Sequence, residues 1–244
     1  MKGGDDQDLE YDFVDVLLNL QERDDLEEPI TMDHIKGVIL DVFIAGTDTS
    51  STTITWVMAE LIKHPEVMEK VQAEIRHAVS ENTKLEEKSL SYLKLVIKET
   101  LRMHPPGPLL SLRLCTKSCQ IHGYTIPSGT RLVVNVWALG RNPEYWNDPD
   151  NFIPERFETS SMDFKGQNFE FLPFGSGRRI CPGIKFGLAV VEETLTSLLL
   201  HFDWKLPNSM KPEDLDMTET FGVVAAKKDP LYLIPTLRVP LPEV

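Results

Sequence analysis

The chain has 244 residues, 41% of them apolar, enough to bury a sizeable core as one large domain or two small ones. Its formal charge of -13 argues against a nucleic-acid binder, because an acidic protein gains nothing from phosphate neutralisation. Three cysteines, Cys115, Cys119 and Cys181, are too few for a disulfide framework and fit a reducing compartment.

Much of the acid sits at the start, in GGDDQDLEYD and QERDDLEEP, and residues 1–30 read as an acidic lead with a short helix over DFVDVLLNL. The opening MKGGDDQDLE lacks the apolar core of a signal peptide, and no apolar run has the length to cross a bilayer. From TMDHIK to Pro65 the apolar residues recur at helical spacing, which predicts one helix about 50 Å long. Its middle, AGTDTSSTT, is rich in poor helix formers, so a weakened helix there is either tolerated by packing or required by function. Pro65 opens a second helix, PEVMEKVQAEIRHAVS, and SLSYLKLVIKETLRMH forms a third that HPPGP terminates. QIHGYTIP and RLVVNVWAL then read as strands on either side of a turn at Ser128-Gly129. An irregular stretch runs from Gly140 to Pro173, and its Trp146, Phe152, Phe157, Phe169 and Phe171 argue against disorder. After it comes the helix IKFGLAVVEETLTSLLLHF, and FGVVAAKKDPLYLIPTL suggests a hairpin around Lys228-Asp229-Pro230. The expected class is mostly α, with a smaller β component.

The stretch FLPFGSGRRICPG, from Phe171 to Gly183, carries the most chemistry. A thiolate is an effective iron ligand when it is deprotonated, shielded and hydrogen-bonded. Gly175, Gly177 and Gly183 would let backbone approach a flat cofactor beside Cys181, Phe174 would cover the sulfur side, and Arg179 can pair with a carboxylate on the cofactor edge. Taken alone, Cys181 reads as a small buried hydrophobe in a glycine loop. A zinc site from Cys115, Cys119, Cys181 and His122 fits no common spacing. The whole string, Phe-x-x-Gly-x-Arg-x-Cys-x-Gly, resembles the haem-binding signature of the cytochrome P-450 family.

That resemblance extends from about Asp12 onward, in the plant microsomal style. Ala45-Gly46-Thr47-Asp48-Thr49-Ser50 looks like the family's oxygen-activating segment, which implies that Thr49 hydrogen-bonds bound dioxygen while Asp48 feeds protons through water. The same hydroxyls, from Thr47 to Thr53, can equally bond back to preceding carbonyls of their own helix. Glu99 and Arg102 resemble the Glu-x-x-Arg motif, and Pro154-Glu155-Arg156-Phe157 the segment whose arginine completes it, which implies a buried structural cluster of Glu99, Arg102 and Arg156. HPPGPLL and Trp137-Ala-Leu-Gly-Arg-Asn-Pro also match in order. Where the family often has Pro-Arg-Glu, this chain reads Leu112-Arg113-Leu114, so Arg113 is a candidate partner of a haem propionate; His104 is a second, or equally a satisfied core histidine.

The resemblance implies haem b (iron protoporphyrin IX) with Cys181 as axial iron ligand, and a monooxygenase acting on a lipophilic small molecule. It also implies NADPH as ultimate donor through a separate NADPH-cytochrome P-450 reductase, with Arg178 a candidate contact. Ala45, Leu109, Leu110 and Val223 stand where the family lines its substrate pocket. The family form is anchored at the endoplasmic reticulum membrane and is far longer. Residues 31–244 would therefore be the C-terminal, haem-ligating part of a single domain, without the anchor, a propionate-holding helix and the lid-like helices. Two alternatives stay open: an inactive truncated fragment, and a non-oxygenating haem-thiolate isomerase or dehydratase, against which Asp48-Thr49 argues.

Overall fold

The computed structural model describes residues 12–23, 25–80 and 90–240; residues 1–11 and 24 of the acidic lead lie outside them. The chain forms two compact units, dividing between Thr47 and Asp48, while the step in charge falls near residue 30.

The first unit holds α1 (Phe13–Gln21) and the opening half of α2 (Met32–Lys63). Asp12 caps α1 by accepting from the Val14 and Asp15 backbone, and the Asp15 carboxylate returns a bond to the Asp12 N–H, a reciprocal capping box. Thr31 and His34 bracket the start of α2 in the same manner, each backbone N–H bonding the other's side chain at 3.3 Å.

The second unit is built on the rest of α2 with α3 (Pro65–Ser80), α4 (Ser91–Met103) and α6 (Ile184–His201). Their apolar stripes meet in one core: Val57 and Leu61 of α2, Val67, Val71 and Ile75 of α3, Leu93, Val96, Ile97 and Leu101 of α4, and Leu195 and Leu199 of α6. The spacings of three and four residues put each set on one helical face. Pro65 suits the first turn of α3, where a missing N–H costs nothing. Leu90 cannot cap α4, so Glu74 reaches over from α3 and accepts from the Tyr92 and Leu93 N–H groups at 2.8 and 3.0 Å.

The β component is three small antiparallel pairs, and it departs from the expected strand, turn and strand. β2 (Cys119–Ile121) and β3 (Tyr124–Ile126) form a hairpin turning at His122-Gly123, both with positive φ, as a two-residue turn of that hand requires. The turn at Ser128-Gly129 exists, but β4 (Arg131–Leu132) after it pairs with β1 (Arg113–Leu114) rather than with β3. RLVVNVWAL is strand only at its start; the Asn135 side chain then accepts from the Ala138 N–H and starts the short helix α5 (Val136–Leu139). At the C-terminal end β6 (Ile234–Leu237) pairs with β5 (Phe202–Lys205). The expected hairpin around Lys228-Asp229-Pro230 lies earlier, as a narrow ladder with Glu219 opposite Lys227 and its tip near Gly222. Pro230, with no N–H to give, follows the end of that pairing.

The irregular run from Gly140 to Pro173 is packed through Trp146, Phe157 and Phe171, all buried, with Phe164 at their edge. Aromatic area takes the place of regular hydrogen bonding there.

Candidate active site

Cys181 closes a tight loop ahead of α6. The Gly175 N–H donates to the Leu172 carbonyl, the Cys181 N–H donates to the Phe174 carbonyl at 3.0 Å, and a 3-10 turn occupies Gly177–Arg179. Gly175 and Gly177 have φ of 76° and 69°, which side chains rarely tolerate, so the need for glycine here is conformational. Gly183 has an ordinary φ of -90°, and a Cβ there would sit 3.9 Å from the Cys181 sulfur. The Phe174 ring packs edge-on against Phe164. Cys181 is half-buried and free of any disulfide.

The same loop lines a groove of about 440 Å³ with Leu110, Arg113, Leu132, Val134, Phe169, Leu172, Ser176, Arg178 and Arg179. Sequence candidates distant along the chain, Arg113, Leu110 and Arg179, thus meet in one place. Arg178, expected at a partner-facing surface, lines the groove beside them. No carboxylate among the described residues pairs with Arg113, Arg178 or Arg179, although the chain carries 38 acidic residues against 25 Lys and Arg. The apolar groove, edged by guanidiniums with no carboxylate partner, fits a flat, apolar macrocycle bearing carboxylates; Cys181 stands further along the same loop and is not among the lining residues.

α2 is helical throughout its middle, so the expected weakening does not break it. The Thr53 and Thr55 hydroxyls donate to the Thr49 and Ser51 carbonyls at 2.9 and 2.8 Å, back-bonding that satisfies each hydroxyl within its own helix. Asp48 is exposed and Thr49 half-buried. One residue on, the Ser50 hydroxyl lies 3.8 Å from where a Cβ would stand on Gly187, one turn into the helix that follows Cys181. Ala45 is exposed on the α2 half belonging to the first unit. Leu109 is exposed at the end of the proline turn, and Val223 is exposed at the tip of the 219–227 ladder. The Ala225 N–H ties that ladder to the Pro106 carbonyl at 2.9 Å.

Glu99, Arg102 and Arg156 form one buried cluster. Glu99 accepts from Arg102 Nε and Nη2, each at 2.8 Å, from Arg156 Nε at 2.9 Å and from the Ile153 N–H at 2.8 Å. The guanidiniums then fasten the irregular run: Arg102 donates to the Gly140, Pro149 and Asn151 carbonyls, and Arg156 to those of Asn147, Asp148 and Asn151. Gly140 is required by this closeness, because a Cβ would collide with the Arg102 carbonyl.

His104 requires a correction, for the structure gives it other partners than a cofactor propionate. Its Nε2 meets Glu60 at 2.7 Å, its Nδ1 meets Glu219 at 2.9 Å, and its ring stacks on Trp56 at 3.9 Å. Burial opposes ionisation of Glu60, but bonds from His104 and His64 outweigh it and hold that carboxyl at about 2. Burial also disfavours a charged His104, yet Glu219 and Glu60 prevail and raise it. Trp137 Nε1 donates to Glu219 at 2.9 Å, and the Arg141 guanidinium lies over the Trp137 ring, 3.7 Å from Glu219. These groups line a separate cavity of about 590 Å³. Sequence reasoning missed Glu60 and Glu219; an acid inside the apolar run WVMAEL was the available signal, since periodicity puts Glu60 on a buried face.

Among the described residues no three of His, Cys, Asp and Glu are grouped as a metal cage, and no helix is long and apolar enough to cross a membrane.

A helical domain that presents a glycine-braced cysteine ahead of one helix, and fastens its irregular run through a buried Glu-x-x-Arg pair and a second arginine, defines a haem-thiolate protein class. The chain belongs to the cytochrome P-450 family, whose model matches residues 4–234. It is 57% identical over 231 residues to desmethyl-deoxy-podophyllotoxin synthase of Sinopodophyllum hexandrum, covering 93% of this chain and 46% of that protein. Premnaspirodiene oxygenase of Hyoscyamus muticus is likewise 57% identical over 228 residues, covering 92% and 45%. A solved zebra fish cytochrome P-450, determined with abiraterone, superposes with a TM-score of 0.81 at 32% identity, over 93% of this chain and 54% of that one. The chain spans about half the length of the curated relatives it matches.

Proposed function

We propose that residues 31–244 are the haem-ligating part of a monooxygenase that inserts one oxygen atom of dioxygen into a lipophilic small molecule. The observation that carries this reading is the groove in which the Cys181 loop, Arg113, Arg178 and Arg179 converge with no carboxylate to neutralise them. When bound, thiolate-ligated haem supplies an iron centre whose electron-rich ligand favours cleavage of the O–O bond. In this reading the half-buried Cys181 sulfur is the ligand, Gly175, Gly177 and Gly183 let the backbone turn closely around it, and Phe174 covers one side. Arg113 and Arg179 pair with the cofactor's carboxylates, and Leu110 covers its apolar surface. Thr49 holds a hydrogen bond at the reaction centre, while exposed Asp48 exchanges protons with solvent. Leu109 and Val223 contact the substrate, and their apolar character supports a lipophilic one. The relatives' names, a synthase and an oxygenase, agree with this chemistry. Electrons come from NADPH through a separate reductase at the endoplasmic reticulum's cytosolic face.

The test is the absorption spectrum of the purified chain after haem addition, reduction and exposure to carbon monoxide. A strongly red-shifted Soret band that disappears in Cys181→Ala supports thiolate ligation. The same band in that variant refutes the assignment of Cys181, and no band in the parent chain refutes haem-thiolate binding by these residues alone.

A further inference from the structure

We propose that Cys115 and Cys119 form a surface dithiol that hydrogen peroxide converts reversibly into an intrachain disulfide. Their sulfurs lie 4.0 Å apart, in contact. Closing to the bonded distance of about 2.05 Å requires an approach of about 2 Å, within reach of side-chain rotation. The other cysteine, Cys181, belongs to a different loop and does not share this contact.

Backbone pairing holds the two residues on separate β ladders. The Cys115 N–H donates to the Thr130 carbonyl at 2.9 Å, and its own carbonyl accepts from the Gly129 N–H at 2.7 Å. Cys119 opens β2 and pairs with Ile126 across the hairpin. The thiol of Cys115 donates to the Lys117 carbonyl at 2.9 Å, which turns its sulfur into the small loop that Cys119 closes. Cys119 is exposed and Cys115 half-buried, so a small oxidant reaches the pair while its members already face each other. Desolvation and the adjoining Cys115 thiol raise the Cys119 thiol, which slows its attack on an oxidant.

The chemistry balances with peroxide alone. One thiolate takes an oxygen atom from hydrogen peroxide, giving a sulfenic acid and one water; the second sulfur then attacks that sulfur, forming the S–S bond and releasing another water. Two thiols and one peroxide become one disulfide and two waters. The bond would brace the end of β1, two residues beyond Arg113 in the groove. The inference does not depend on haem binding.

Trypsin separates the two cysteines, because Arg113, Lys117 and Arg131 bound the peptides 114–117 and 118–131. The folded chain is treated with peroxide, its remaining thiols are alkylated, and the digest is analysed by mass before and after reduction. The expected result is the two peptides joined as one species, separated by dithiothreitol, with Cys181 alkylated. Mixing unlabelled with isotope-labelled chain keeps the link within one label, and Cys119→Ser leaves Cys115 as a sulfenic or higher acid. Recovery of both peptides alkylated, oxidation to separate sulfinic acids, or links across labels would each overturn the proposal.

Discussion

Glu99→Ala removes the one carboxylate on which two guanidiniums close. Glu99 and Arg102 have side chains with no exposure at all, and the carboxylate accepts four hydrogen bonds from Arg102, Arg156 and the Ile153 backbone. The alanine variant leaves the Arg102 charge inside the protein with only the Gly140, Pro149 and Asn151 carbonyls for company. Removing one partner of a buried pair costs about 3–5 kcal/mol, against a typical domain stability of about 5–15 kcal/mol. At about 2–4 °C per kcal/mol for a chain of this size, the melting temperature should fall by about 6–20 °C. Circular dichroism melts of parent, Glu99→Ala and Glu99→Gln check this, with the glutamine variant intermediate because it keeps one acceptor oxygen. The double variant Glu99→Ala/Arg102→Met should regain part of the loss, since the stranded charge goes too. A loss below about 1 kcal/mol in Glu99→Ala would refute the reasoning, for the carbonyls would then suffice to hold the charge.

Three further outcomes follow from the same contacts. His104 titrates above its usual 6.5 in the folded chain, so its share of stability is complete below that pH and lost as pH rises through the raised value. Glu60, held at about 2, contributes fully above 4.5 and loses that share as pH falls towards 2. Stability should therefore be greatest between these limits, and His104→Gln should flatten the alkaline side of a melting-temperature profile, leaving the part due to His64; an unchanged profile counts against the network. Gly140→Ala drives a methyl into the Arg102 carbonyl, and the urea midpoint should drop by an amount equivalent to about 1–3 kcal/mol; an unaltered midpoint means that the close approach can relax. Glu219→Ala frees the ladder bearing Val223 from His104 and Trp137, so amide exchange at Thr220, Ala225 and Lys228 should accelerate, and unchanged protection would show that backbone bonds alone hold it.

The helices were legible because their signals are local. Apolar spacing in PEVMEKVQAEIRHAVS and the proline at its first turn describe α3 without reference to anything else. The strands were not, because a strand's partner is a non-local fact. Ser128-Gly129 does turn, but whether the next residues pair with β3 or with β1 depends on Arg113 and Leu114, far back in the chain. AGTDTSSTT stays helical as the periodicity predicts, and Thr47 and Thr53 give their hydroxyls to the Phe43 and Thr49 carbonyls, the back-bonding that propensity alone does not count. The sequence alone does not choose between a propionate partner and a satisfied core histidine for His104, because its partners, Glu60 and Glu219, are 44 and 115 residues away.

The arginines explain why the site could be half read. Arg102 and Arg156 stand in short motifs much like those of Arg113 and Arg179, and residue type alone does not separate them. Partner count does. Arg102 and Arg156 share Glu99 and are bonded to carbonyls of one irregular run, so their charge is consumed in holding the chain. Arg113, Arg178 and Arg179 face one groove without a carboxylate, in a chain whose charge of -13 makes such a partner easy to supply. Arg178 and Arg179 are exposed and Arg113 half-buried, so water solvates them and an anionic ligand can replace that water. The division between paired and unpaired guanidiniums agrees with the separation that the motifs imply, of a structural cluster from the groove proposed for the cofactor.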